Sequence, residues 1–185
     1  MAVPGGHDGY GATAKVLHWT TALCVVAAWL LGHFIDDFPR SIEPGALFSH
    51  MSIGLVVLSL LLIRLGWRLS HPPPALLSSA FSPWAEWAAT LVHWLLYALM
   101  LAIPVSGIVM QFARGRALPI FGLFEITSPW ARDRALQSSV HELHALLANS
   151  LLILAALHAV AALGHHYVLK DTTLIRMMPR RRTPG

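Results

Sequence analysis

Charge is scarce in this sequence. Asp, Glu, Lys and Arg make up 12% of its 185 residues, where a soluble domain carries about 25%. A chain so short of charge points to lipid rather than water as its main solvent. Cysteine is nearly absent, with Cys24 alone in the first apolar stretch. One thiol leaves no intrachain disulfide and no reading of the redox compartment. It also excludes a C-x-x-C-H haem attachment and a cysteine-held iron–sulfur cluster. A clear A-x-A cleavage site is missing as well. With only Lys15 ahead of it and a length beyond that of a signal peptide's apolar core, the first stretch reads as a retained helix. There is no internal repeat and no segment resembling a separate soluble domain, so residues 1–185 are expected to form one membrane domain.

What is present is apolar. Hydrophobic residues reach 56% and the mean hydropathy is +0.60. Four runs stand out, at about 16–35, 47–67, 87–112 and 140–169. Each has the roughly 20 residues that cross a bilayer, which predicts an all-α bundle of four transmembrane helices. The connectors are rich in Pro, Gly and Ser and break helices. In the longest of them, the IFGLF piece is expected to lie along the membrane surface. Pro104 and Gly107 fall inside the third run, where a kink is tolerated if neighbours satisfy the freed carbonyl.

The formal charge is +4. Basic residues gather at segment ends and in the tail, as Arg180, Arg181 and Arg182. A short basic tail after an apolar helix suits the cytoplasmic membrane surface better than nucleic acid. With the termini on one side, that side holds Lys15, Arg64, Arg68, Lys170, Arg176 and the three tail arginines. The other holds Arg40, Arg114, Arg116, Arg132 and Arg134. Eight cations against five place both termini in the cytoplasm.

Eleven histidines in so apolar a chain need an explanation. An ionisable side chain inside a span is costly and marks a functional site by default. His144 and His158 are 14 residues apart, close to four helical turns, so both rings leave one face about 21 Å apart. The fourth helix enters from outside. His144 is therefore level with His50 near the outer start of the second helix, and His158 with His18 near the inner start of the first. Two opposed imidazole pairs at two depths are how an apolar bundle holds b-type haem without a covalent link. Two axial imidazoles leave iron no open position, which favours electron transfer over oxygen binding.

Blander readings apply elsewhere. A single membrane histidine is more often a helix-to-helix hydrogen-bond partner than a ligand, and His33, His93 and His141 are read so. His33, 15 residues from His18, is a possible substitute outer ligand. The His141-Glu142-Leu143-His144 segment resembles part of a zinc H-E-x-x-H motif but is one residue too short, so the i, i+4 geometry is missing.

These residues, taken with Leu17-His18-Trp19, Phe38-Pro39-Arg40-Ser41, SHMSIG around His50, HALLAN from His144, LHAVAALGHHY from Leu157 and KDTTLIRMMPR ending at Arg180, resemble the bacterial cytochrome b561 family. That family comprises small four-helix di-haem proteins of the bacterial inner membrane, and the match spans nearly the whole chain. The resemblance implies two haem b groups held by His18, His50, His144 and His158. It also implies oxidation of superoxide at the outer face and reduction of ubiquinone. One departure is Leu143, where the family pattern leads one to expect a Trp before the first His of the fourth helix.

Superoxide is a small anion, and outer-side cations raise its encounter rate. Arg40, inside a matched motif, is the leading candidate, against the plainer reading that interfacial Arg pairs with lipid headgroups or nearby carboxylates. Ubiquinone reduction consumes two protons, and His165, His166 and Lys170 are titratable groups just beyond His158. Their plainer role is interfacial anchoring. Two rivals follow: a cytochrome b subunit relaying electrons from a dehydrogenase or hydrogenase partner to quinone, and a haem-free transporter or scaffold.

Overall fold

Long uninterrupted apolar runs with few breakers have one stable solution in lipid, the helix, because it satisfies its own backbone. The computed structural model describes residues 9–71 and 83–178. Four long helices dominate it: α1 Ala12–His33, α2 Glu43–Ser70, α3 Pro83–Ala113 and α4 Arg134–Tyr167. All four contain stretches long and apolar enough to cross a membrane. A 3-10 turn, Ile35–Asp37, joins α1 to α2, and a short helix, α5 Thr173–Met177, follows α4. The Pro-rich connector at 72–82 and the arginines at 180–182 lie outside the described residues.

All four helices start ahead of their apolar runs, and polar residues shape several of their ends. Asp133 caps α4 by accepting from the Leu136 N–H at 3.0 Å, so α4 starts at Arg134 rather than near 140. Pro44 and Glu43 open α2 at positions that suit an imino ring and a negative charge. At the end of α3, Gly115 takes φ +68°. Its N–H donates to Phe112 O at 2.8 Å and that of Arg116 to Gln111 O at 3.4 Å, a paired closure that needs the left-handed residue glycine supplies.

The IFGLF segment forms the tip of a hairpin. Strands β1 Leu118–Ile120 and β2 Phe124–Ile126 pair antiparallel, with Ile120 opposite Phe124. Phe121 and Gly122 between them both take positive φ, the conformation of a tight primed turn. The hairpin sits against the start of α2, where Phe48 approaches Gly122.

α1 packs along α2, α3 along α4, and α2 along α3. The central cluster is Val57, Leu61, Tyr97, Met100 and Leu151, with Cys24 and Val25 against it. The outward faces remain apolar: Leu23, Leu62, Ile153 and Val160 are more than half exposed. In water such a surface would be an aggregation liability; in a bilayer it is the required one.

Candidate functional site

Residues 144, 151 and 158 on α4 are seven apart, close to two turns each, and so share a face. The other helices carry the same step: 18, 25 and 32 on α1; 50, 57 and 64 on α2; 93, 100 and 107 on α3. Packing these faces together builds three tiers. The outer tier is Gly32, His50, Gly107 and His144: Gly32 lies against the His50 ring, Gly107 against the His144 ring, and the two rings face each other. The middle is Val25, Val57, Met100 and Leu151. The inner tier is His18, Arg64, His93 and His158.

In the outer tier the His50 and His144 ring centres are 6.1 Å apart, with planes crossed at 75°. In the inner tier the His18 and His158 centres are 6.5 Å apart and crossed at 68°. A metal between two imidazoles needs a bond of about 2 Å on each side. Adding roughly 1 Å from nitrogen to ring centre gives a separation of about 6 Å, so both pairs fit one ion each.

The far nitrogens of the outer pair are already committed. His50 Nδ1–H donates to Ala28 O at 2.9 Å. His144 Nδ1–H is shared between Ser106 Oγ at 2.9 Å and Ile103 O at 3.1 Å, and the Ser106 hydroxyl itself donates to Ile103 O at 2.8 Å. This fixes the tautomer and leaves Nε2 free to coordinate, an arrangement of the kind that supports a metal-ligating histidine. The adjacent Pro104 lacks an N–H and interrupts the α3 ladder beside this carbonyl. Inside the bundle, a cavity of about 350 Å³ is lined by His50, His144, Gly32, Gly107, Gly54 and Arg114 among others. A Cβ on Gly32 would stand 2.7 Å from His50 Cε1, and one on Gly107 3.4 Å from His144 Cε1. Both glycines let the backbone close on the rings. In the inner tier His18 Nδ1 is buried with no hydrogen-bond partner.

The remaining histidines divide. His93 bonds within its own helix, its Nδ1–H donating to Ala89 O at 2.6 Å, and its ring centre lies 5.1 Å from that of His158. His33 stacks on Trp29 at 4.6 Å, and the Trp29 indole N–H donates to Asn149 Oδ1 on α4 at 3.0 Å. His33 and His141 line the outer cavity, as does Arg114. Burial, and then neighbouring Arg116, push the Arg114 guanidinium below its ordinary pKa. Arg40 lies on the exposed turn before α2, away from the cavity lining.

At the inner end, His165 Nδ1 meets Asp171 Oδ2 at 2.6 Å, and Asp171 Oδ1 accepts from the Thr173 N–H at 2.8 Å. Burial works against ionising Asp171, but these hydrogen bonds outweigh it and hold the carboxyl below its ordinary value. Lys170, at φ +54°, turns the chain so that Asp171 folds back on α4. His166 Nδ1 is buried without a partner. Lys15 Nζ and Trp19 Nε1 donate to the carbonyls of Met178 and Met177, tying the start of α1 to α5. Asp171 was missed by sequence reasoning, and so were the tier positions of Arg64, Gly32 and Gly107.

A four-helix membrane bundle whose interior carries opposed imidazoles at two depths defines a class: the membrane proteins built to hold redox metal inside the bilayer. Within that class the chain belongs to the prokaryotic cytochrome b561 family, whose model matches residues 9–180. It is thus a haem b protein of membrane electron transfer. A probable superoxide oxidase, CybB, of Yersinia pestis is 36% identical over 176 residues, covering 95% of this chain and 99% of its own. Cytochrome b561 homolog 2 of Escherichia coli strain K12 is 35% identical over 182 residues, covering 96% and 95%. Cytochrome b562 of Cereibacter sphaeroides is 33% identical over 179 residues, covering 94% and 97%.

Proposed function

We propose that this protein carries two haem b groups, between His50 and His144 and between His18 and His158, and passes electrons from superoxide at the outer face to ubiquinone. The observation that carries the reading is the pair of ring separations, 6.1 and 6.5 Å, each about the distance at which two imidazoles would hold one ion between them. Bound there, haem supplies a carrier that takes up and releases one electron at a time. The rest is the work of the chain. Its apolar middle tier separates the two levels. Two superoxide anions give up one electron each and leave as dioxygen; two electrons and two protons convert ubiquinone to ubiquinol.

Arg114 is the cation at the mouth of the outer cavity, half-buried and without a carboxylate partner among the described residues. It draws the anion toward the outer pair. Arg40, exposed farther off, adds to the outer-side field. At the inner end His165 delivers protons, oriented by Asp171, with His166 and Lys170 beside it. The name of the Yersinia relative, a probable superoxide oxidase, supports the superoxide step. The inner bacterial membrane, with both termini in the cytoplasm, is the location that fits this polarity.

The test is purified protein with haem quantified against polypeptide. Two haems per chain, a reduced-minus-oxidised spectrum of bis-imidazole type and reduction by superoxide without a second subunit are expected. Arg114→Gln should slow that reduction several-fold and flatten its dependence on ionic strength. A colourless preparation would point to the scaffold reading. Haems reduced solely by a co-purifying redox subunit would point to the relay.

A further inference from the structure

Arg64 is a cation within a span, and no carboxylate lies within ion-pair distance of it among the described residues. Such a charge is expensive in a bilayer and normally has a partner. Its position is specific. Arg64 occupies the same face of α2 as His50, 14 residues on, and lies in electrostatic reach of both His18 and His158. The guanidinium is steadied by the Tyr97 ring, 5.5 Å away. One turn further toward the inner surface, Arg68 stands over the rings of Trp94 and Tyr97 at 5.9 and 5.8 Å and donates to the Tyr97 hydroxyl at 3.4 Å.

The two tiers differ at this point. Where α1 and α3 face the outer imidazoles they present glycines, Gly32 and Gly107. At the inner tier, where α1 and α4 supply the imidazoles, the position on α2 is a guanidinium. It fits an oxygen anion, and the anions a haem b brings are its two propionates. We propose that Arg64, backed by Arg68, pairs with the propionate carboxylates of the haem between His18 and His158, and so sets its potential above what that pair of ligands alone would give. This rests on the two-haem reading above. The sign follows from charge: a nearby cation disfavours the more positive, oxidised iron.

The experiment is a redox titration, followed spectrally, of the purified haem-loaded protein and of R64Q and R64K. In R64Q the potential of one haem falls while the other stays, at two haems per chain; R64K retains most of the native value. The variants His18→Ala and His50→Ala identify which couple is the inner one. Unchanged potentials in R64Q, at full haem content, would overturn the proposal and leave Arg64 to a lipid phosphate. A shift of the outer couple instead would also overturn it. So would retention of both haems in His18→Ala with loss of one in His93→Ala, since His93 would then be the ligand. Fewer than two haems in the native protein would remove the two-haem reading, and this proposal with it.

Discussion

At position 32 even a methyl group would collide with the ring it faces, standing 2.7 Å from His50 Cε1. The neighbouring backbone cannot retreat without breaking the bond from His50 Nδ1 to Ala28 O. Gly32→Val is therefore expected to act at a distance of one residue contact as His50→Ala does directly. The haem ratio should fall from two toward one, with a stability cost of about 1–3 kcal/mol from overpacking. Gly66→Ala, with nothing within 4 Å of the added Cβ, is the control and should keep both haems. If Gly32→Val binds two haems with native spectra, the outer ring does not depend on that close approach.

At the scale of elements, α5 is too short to stand by itself and is held by its connections. Asp171 accepts from the Thr173 N–H and from His165, while Lys15 and Trp19 bind carbonyls at its far end. A carboxyl held below its ordinary 3.8 contributes stability above that value and loses it as the pH falls through its lower folded value. The dock is thus intact at neutral pH and weakens in acid, below that ordinary value. Asp171→Asn keeps an acceptor for Thr173 but removes the charge that orients His165. Electron delivery to ubiquinone should slow by roughly tenfold, short of the hundredfold or more expected from losing an acid outright. Haem reduction by superoxide should not change. Stopped-flow traces of the two half-reactions separate them, and an equal effect on both would count against a role for this pair in proton delivery.

For the whole molecule, an even number of spans brings the chain back to the side on which it began. Tags at both ends should be cleaved by protease in inverted membrane vesicles and protected in right-side-out ones; the opposite pattern would place the Arg114 cavity on the cytoplasmic side and remove the superoxide reading. The seven-residue step shared by four helices gives the bundle its internal order, histidine tiers at two depths and an apolar layer between.

The sequence by itself determined the number of long helices and roughly where each lies, because spans are legible from composition. It also determined the 14-residue spacing on α4, because a ruler along one helix needs no neighbours. The depth of the two histidine pairs was legible too; which other residues join their tiers across helices was decided by tertiary structure alone. Loops set the height of each helix, and loop conformation here turns on backbone choices invisible in hydropathy: the positive φ of Gly115, the Phe121–Gly122 turn, and Lys170 folding Asp171 back. So Gly32 and Gly107 read as ordinary small residues, Arg64 as one more inner-side cation, and Asp171 as part of a tail. Their roles come from what faces them, and facing is a property of packing.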